Sequence, residues 1–238
     1  MAKMVISDIH IDVIKKDIKN MHLAVYPPNG KVRLAIPKDV KEETIRLFTI
    51  SKLSWIKKQQ RKFASQDRQT NRSYIDRETH YFLGKRYLLK VIEEDRPAKI
   101  VIRGKSRLEL YVRPKSTIDQ RTTIVNEWYR AELKKVIPPI VAKWEKKMGV
   151  TVESWGVRQM KTKWGTCNIE KKRILLNLEL AKVPVRCLEY IIVHEMVHLF
   201  ERKHNDQFMA YMDKYLPNWK SLRSDLNRLP VSHVNWEY

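Results

Sequence analysis

The chain contains 238 residues, of which 43% are hydrophobic and 32% are charged. This composition excludes collagen-like, low-complexity and wholly disordered proteins, and the length allows one large domain or two small ones. Lys and Arg number 48 against 27 Asp and Glu, which gives a formal net charge of +21. Such an excess favours an anionic partner, and nucleic acid is the most common one inside cells.

The hydropathy and cysteine content indicate a soluble protein of a reducing compartment. No apolar segment of the sequence approaches the roughly 18 residues of a membrane span, and the first residues lack the apolar core of a signal peptide. Two cysteines, Cys167 and Cys187, are too few for a disulfide framework. We therefore expect two free thiols, a cytoplasmic location and no membrane partner.

The first 115 residues are predicted to be mainly β and strongly basic, with 27 basic and 13 acidic residues. Runs of β-branched residues bounded by turn residues predict strands at 9–14, 21–26, 32–36, 80–83, 86–92, 99–103 and 108–112. Helical spacing of apolar residues predicts one helix over 42–63, and a polar loop follows around 66–71. We expect residues 1–115 to form a basic β-rich region with one helix.

A helical period begins at Thr117 and ends at Gly149, with a kink expected at Pro138 and Pro139. Strands are then predicted at 152–160 and 173–178, on either side of a Lys-rich connection, and helices at 185–202, 206–215 and 219–228. We place a domain boundary near residue 115, so that residues 116–238 form a second domain. The predicted fold class is α+β, and no internal repeat is apparent.

The motif that carries chemistry is His194-Glu195-Met196-Val197-His198, which has the form HExxH. Residues four apart share one face of a helix, so His194 and His198 can each present a ring nitrogen to one tetrahedral Zn²⁺. Glu195 lies beside the first ligand without being one. Its carboxylate can take a proton from water that the metal activates and hand it to a leaving amine. This chemistry is peptide hydrolysis.

A third protein ligand must come from outside this helical face, and His204 can supply it if the chain turns sharply after the helix. In metzincins, which the spacing resembles, Gly occupies the place of Glu201. We expect the helix to break at Arg202-Lys203, with Lys203 in a left-handed or similarly tight conformation. Glu201 is the alternative: on a straight helix it shares the face of His194 and could be a ligand or a partner of a ligand.

Several further segments carry a resemblance to a known family. They include Arg158-Gln159-Met160-Lys161-Thr162-Lys163-Trp164-Gly165-Thr166-Cys167-Asn168, Leu176-Asn177-Leu178, the HExxH, His204 and Phe208. Together they resemble the YgjP-like metallopeptidase family and, more weakly, SprT-like proteases, which act on proteins bound to DNA. The resemblance implies a zincin-like catalytic domain with a zinc helix packed on a small sheet. The resemblance also implies a role for Asn177, in the L-N strand, either in the cleft or as a hydrogen-bond partner of residues that hold the metal.

Two residues of the Trp-Gly-Thr-Cys segment have alternative interpretations. Trp164 is either a core anchor or part of the cleft wall, since large aromatic side chains usually contribute through burial. Cys167 is a soft ligand that could approach the metal in a resting state, although cysteines are more often small buried apolar residues.

We expect the substrate to pair with the strand at 173–178, because this strand directly precedes the zinc helix.

The sequence thus supports two hypotheses. The first is a zinc-dependent metallopeptidase that acts on proteins or peptides, including DNA-associated proteins. Its ligands are His194, His198 and His204, and Glu195 is the general base and acid. The second is a basic accessory protein with a structural or vestigial zinc site. No helix-turn-helix, zinc-finger or RNP-type pattern accompanies the charge. Any binding of nucleic acid is therefore expected to be blind to base sequence.

Overall fold

The computed structural model describes residues 2–26, 30–64, 72–160 and 163–229. The chain forms two compact units, Met1–Asp67 and Arg68–Tyr238. In the described part of the chain, no helix combines the length and the apolar character that crossing a bilayer requires. In the described residues the first unit contains one sheet and the second contains two, and each unit has its own buried apolar residues.

The first unit contains a four-stranded sheet and two helices. Its elements are β1 (Ala2–Ile6), β2 (Ile9–Lys15), β3 (His22–Tyr26), β4 (Lys31–Ile36), α1 (Glu42–Ser51) and α2 (Leu53–Ala64). The strand order is β1-β2-β4-β3, with β2 and β4 parallel and the outer pairs antiparallel. Val32, Leu34 and Ile36 alternate along β4 and are buried, as expected for a strand with one face on a core.

The single helix predicted over 42–63 is two helices in the structure, separated at Lys52. Lys52 has φ −105° and ψ 0°, which lies outside the helical region. Two hydroxyl groups just before the break bond to carbonyls of the preceding turn: Thr49 Oγ1 to Ile45 O at 2.8 Å and Ser51 Oγ to Phe48 O at 2.7 Å. Such bonds compete with the helical pattern and favour a bend at this point.

The second unit begins with another four-stranded sheet. Its strands are β5 (Thr79–Phe82), β6 (Lys85–Glu93), β7 (Lys99–Arg103) and β8 (Arg107–Val112), in the order β5-β6-β8-β7. The central pair is parallel and both outer pairs are antiparallel hairpins. This is the strand order and orientation of the first unit's sheet, so the described structure contains a repeat that the sequence did not reveal.

The division at residue 67 differs from the boundary that we predicted near 115, because the second sheet packs with the C-terminal helices. Leu108 and Leu110 of β8 share one buried core with residues of the later helices. The β5–β6 turn also bonds to the segment before the HExxH helix: Leu83 N donates to Ala181 O at 2.8 Å and Gly84 N to Lys182 O at 3.1 Å. These contacts tie the second sheet to the HExxH helix.

The long helix α3 (Ile118–Met148) begins with a capping box formed by Thr117 and Gln120 and ends at Gly149, whose φ of 70° is left-handed. Its buried positions recur every three or four residues: Val125, Tyr129, Leu133, Ile137, Val141, Trp144 and Met148. Pro138 and Pro139 lie inside this helix, which continues through them. Both prolines are exposed, so water can reach the carbonyls that they leave without partners.

The remaining elements carry the candidate site. They are β9 (Ser154–Arg158), β10 (Gly165–Asn168), β11 (Arg173–Asn177), a 3₁₀ turn (Leu178–Ala181), α4 (Val185–Val197), α5 (Asp206–Tyr215) and α6 (Trp219–Arg228). The three strands form a sheet in the order β10-β11-β9, and α4 contacts β10, β11, α5 and α6. The α+β class and the packing of the HExxH helix on a small sheet are confirmed. Strand β10 was not predicted.

Candidate metal centre

The HExxH motif lies in the most deeply buried helix of the described structure. Every residue of α4 from Tyr190 to Val197 is buried, and the exposed fractions of His194 and Glu195 are 3% and 1%. The apolar run that precedes His194 fills the core on all sides of the helix. Two strongly polar residues in such a core require a specific role, since burial of ionisable side chains costs free energy.

Three histidine rings converge at the end of this helix. His204 Nε2 lies 3.1 Å from His194 Nε2 and 3.1 Å from His198 Nε2. Nitrogens at about 2.05 Å from one tetrahedral Zn²⁺ are separated by about 3.3 Å, so the three atoms suit a common ion. Among the residues described, this is the group of His, Cys, Asp or Glu side chains that could hold a metal.

The turn that brings His204 back differs from our prediction. Helix α4 ends at Val197 instead of Arg202, and Lys203 does not have a positive φ. Phe200 leaves the helical path and stacks on Tyr211 of α5, with ring centroids 4.9 Å apart. The earlier end gives the chain enough residues to reverse without a left-handed residue at Lys203.

Glu201 stabilises this turn and orients one histidine. Its Oε1 accepts a hydrogen bond from Lys203 N at 2.9 Å, and its carbonyl oxygen lies 3.0 Å from His198 Nδ1. A bond at Nδ1 fixes the ring and leaves Nε2 for a metal. The bond from Lys203 N, followed by one from Asn205, lowers the pKa of the Glu201 carboxyl group. The structure therefore places Glu201 behind His198 and its carboxylate away from the three Nε2 atoms.

Phe208, on α5, packs against all three histidine rings, with centroid distances of 4.9, 4.8 and 4.7 Å to His194, His198 and His204. Sequence reasoning noted Phe208 only as part of the family pattern. Its contact with the histidines could have been predicted from its position four residues after His204, at the start of an amphipathic helix. In the structure the N-cap of that helix, Asn205, accepts a hydrogen bond from Phe208 N.

Burial and mutual repulsion keep the histidine cluster neutral. Desolvation, followed by the charges that His198 and His204 would carry, lowers the pKa of His194 to about 2. Desolvation also lowers the pKa values of His198 and His204. Metal ligands must be unprotonated, so these shifts leave the three rings ready to bind a cation near neutral pH.

Glu195, His198 and His204 face an open cleft of about 410 Å³. Residues of β10 and of the following turn also line it, and so do the charged residues Lys163, Glu170 and Arg202. The cleft thus places a buried carboxylate, the histidine cluster and a strand backbone around one space. A peptide entering it would meet all three.

The other predicted site residues fall in different places. Cys167 lines the cleft, and burial, followed by the charge of Glu195, raises the pKa of its thiol to about 12. This thiol is not within the histidine group that could hold a metal. Trp164 has an exposed fraction of 1% and belongs to the core, which is the anchoring alternative. Asn177 is fully buried and is not among the residues that line the cleft.

Asn177 holds the two ends of the segment before β10. Its Nδ2 donates to Met160 O at 3.0 Å and to Lys163 O at 2.8 Å, and its Oδ1 accepts from Glu179 N at 3.1 Å. Its backbone N donates to Trp164 O at 2.8 Å. One side chain therefore fixes the position at which β10 enters the cleft wall.

The prediction that the substrate pairs with the strand at 173–178 is wrong. Strand β11, which covers most of the predicted 173–178, lies in the centre of its sheet and pairs with β10 on one side and β9 on the other. Its backbone groups are already used. Among the described strands of this sheet, β10 lies at the edge next to β11, and it lines the cleft together with Glu195, His198 and His204.

Comparison with protein families gives one assignment. The family model described as "YgjP-like, metallopeptidase domain" matches residues 19–229. The chain belongs to this family. The match begins after β2 and ends after α6, so it covers parts of both compact units.

Comparisons with individual proteins add two findings. One solved structure similar to part of the chain is the metallopeptidase zymogen of Pyrococcus abyssi abylysin, at 18% identity and a TM-score of 0.36, over 40% of this chain and 97% of that one. Comparison with curated proteins gave no match.

Proposed function

We propose that this YgjP-like protein is a zinc-dependent peptidase that hydrolyses peptide bonds in the cytoplasm. The observation that carries the proposal is the convergence of three histidine rings beside Glu195: His204 Nε2 lies 3.1 Å from both His194 Nε2 and His198 Nε2, at a cleft that edge strand β10 also lines. Both cysteines are free thiols in the structure, in keeping with a reducing compartment.

The three histidines would hold the ion through Nε2, with His198 oriented by the Glu201 carbonyl. When bound, Zn²⁺ would polarise the scissile carbonyl and lower the pKa of water. Glu195 would accept a proton from the attacking water and deliver it to the departing amine nitrogen, which converts the amine into a neutral leaving group. Its burial beside the cleft limits competing bulk water around the carboxylate.

Strand β10 would align the substrate. An extended peptide can add to a free strand edge through main-chain hydrogen bonds, which hold it independently of most side chains. Thr166 and Cys167 of β10 line the cleft together with Glu195 and His198. A peptide paired with β10 would therefore pass across the histidine cluster with its carbonyl groups near the proposed base.

The decisive experiment compares two cleft carboxylates. The protein is purified without a histidine tag, its bound metal is measured, and casein cleavage is followed for the parent, Glu195→Gln and Glu170→Gln. We expect about one equivalent of zinc in all three, since neither residue is a proposed ligand. Cleavage should fall about 10²–10⁴-fold in Glu195→Gln, the usual loss for a general base, and little in Glu170→Gln. Equal activity of the two variants would reject the mechanism.

We also propose that the first unit binds nucleic acid without sequence preference. Trp55 is 38% exposed on α2, and the exposed cations Lys52, Lys58 and Arg61 lie on or beside the same helix. Aromatic side chains flanked by cations suit single strands, which supply both bases for stacking and phosphates. Affinity for unrelated oligonucleotides should fall in parallel as salt rises and weaken in the triple Gln variant of the three cations.

The two proposals are separable in one assay. Histone cleavage is measured with and without DNA, using Glu195→Gln as the inactive control. Faster cleavage with DNA in the parent, lost in the triple Gln variant, would support recruitment of the peptidase to DNA-associated proteins. DNA binding without any cleavage that depends on Glu195 would instead support the accessory protein with a structural or vestigial zinc site.

A further inference from the structure

Strand β10 and the HExxH helix approach each other most closely at Gly165. A Cβ atom added at this glycine would lie 2.6 Å from Glu195 Oε1 and 2.8 Å from both Cδ and Cγ of the same side chain. Distances under 3.0 Å are not tolerated by real Cβ atoms, so the backbone of β10 lies directly against the Glu195 side chain.

The requirement for glycine here comes from this contact and not from backbone conformation. The glycines with positive φ in the described residues are Gly30, Gly84, Gly104 and Gly149. Gly165 is not one of them and pairs with Leu176 as a regular antiparallel strand residue. An alanine could adopt the same φ and ψ, so its methyl group would conflict with Glu195 alone among the nearest atoms.

Strand β10 cannot retreat to make room. Its first residues are held by the ladder to β11, by the bond from Asn177 N to Trp164 O, and by the buried ring of Trp164. The part of α4 that carries Glu195 is buried, from Tyr190 to Val197. The Glu195 side chain borders the open cleft, so it is the group that would rotate.

We propose that Gly165 is a positioning residue that sets where the Glu195 carboxylate lies. The missing side chain allows the carboxylate to lie against the β10 backbone, at the cleft wall and beside the histidine cluster. A methyl group at this position would turn the carboxylate away from the β10 backbone and out of its place beside the histidine cluster. This role rests on the proposed function, in which Glu195 is the base.

A double-variant cycle on stability tests the contact without reference to activity. Gly165→Ala should lower the thermal midpoint by about 5 °C, because overpacking typically costs 1–3 kcal/mol and each kcal/mol shifts a protein of this size by about 2–4 °C. In a Glu195→Ala background the clash partner is gone, and adding Gly165→Ala should change the midpoint by less than about 1 °C. If Gly165→Ala fails to fold, a folded double variant still supports the proposal. Equal losses in both backgrounds overturn it.

Kinetics test the positioning role. A displacement of about 1 Å of a catalytic group can cost about 100-fold in rate, so Gly165→Ala should lose about 100-fold in kcat on a casein-derived peptide, with KM within about threefold and zinc content unchanged. Gly156→Ala is the matched control: it lies in β9 of the same sheet, and its Cβ would meet only Leu175 Cδ2, at 3.2 Å. It should keep kcat within about threefold. An unchanged kcat in Gly165→Ala overturns the proposal.

The outcomes separate this inference from the proposed function. If Glu195→Gln cleaves as fast as the parent, the proposed function fails and the positioning role fails with it, although the stability cycle still reports the contact. If Glu195→Gln is inactive while Gly165→Ala retains full kcat, the positioning role alone fails. A crystal structure of Gly165→Ala should show the Glu195 carboxylate displaced and the three histidine rings in place; an unmoved carboxylate overturns the proposal.

Discussion

Replacement of Asn177 by Ala should destabilise the second unit by about 3 kcal/mol. The substitution removes two bonds that Nδ2 donates, to Met160 O and Lys163 O, and two that Oδ1 accepts, from Glu179 N at 3.1 Å and from Met160 N at a longer 3.4 Å. Each neutral bond contributes about 0.5–1.5 kcal/mol, and a buried group left without a partner costs more. Glu179 is buried whereas Lys163 is exposed, so part of the loss is recovered by water and the middle of the range applies.

Urea unfolding measures this loss, and two further variants sharpen it. Asn168→Ala, in the same sheet, removes a single exposed bond from Lys171 N and should cost less than about 1 kcal/mol. Asn177→Asp has nearly the same shape but directs a carboxylate at two carbonyl oxygens, so it should be at least as destabilised as Asn177→Ala. A loss of under 1 kcal/mol in Asn177→Ala, or a stable Asn177→Asp, would refute the assignment of these bonds.

Three other outcomes follow from the described contacts. His204→Ala should retain less than about half an equivalent of zinc, and chelator should lower the thermal midpoint of the parent but not of this variant. Desolvation lowers the pKa of buried His80 to about 4 despite its 2.8 Å contact with Glu78. As pH falls, His80 therefore takes up a proton in the unfolded chain before it does so in the folded protein. The free energy of unfolding should fall by up to about 3 kcal/mol between pH 6.5 and 4, and the fall should be smaller in His80→Gln. Replacing Lys163 and Arg202, which line the cleft, with Gln should lower kcat/KM for acidic peptides more than for neutral ones; equal losses would exclude charge steering.

The histidine group could be predicted because most of its information is local. The i, i+4 spacing of His194 and His198 needs only a helix, and His204 needs only a turn of suitable length. The end of the helix was not predictable in the same way. Leu199 and Phe200 continue the apolar pattern, but Phe200 stacks on Tyr211, a contact that exists only after α5 has packed. Tertiary contacts therefore ended the helix five residues earlier than the periodicity indicated.

The cleft wall was harder to predict than the histidines. Strand β10 has only four residues in a Lys-rich segment, and its identity as a strand depends on pairing with β11. Once it is placed, β11 becomes a central strand and cannot receive substrate. The close approach of Gly165 to Glu195 joins residues from two elements that are distant in sequence, so no spacing rule predicts it.

The repeated strand order shows how little sequence identity a shared topology requires. In both sheets the third strand of the order has alternating buried apolar residues, Val32-Leu34-Ile36 in β4 and Leu108-Leu110-Val112 in β8, and a proline follows within two residues. Burial of one strand face fixes every second residue, and proline ends the ladder because it has no N–H to donate. The other positions face different surroundings: the first sheet packs with α1 and α2, the second with α3. Because those positions contact different elements, the repeat is visible in the hydrogen-bonding pattern of the two sheets and not in their residues.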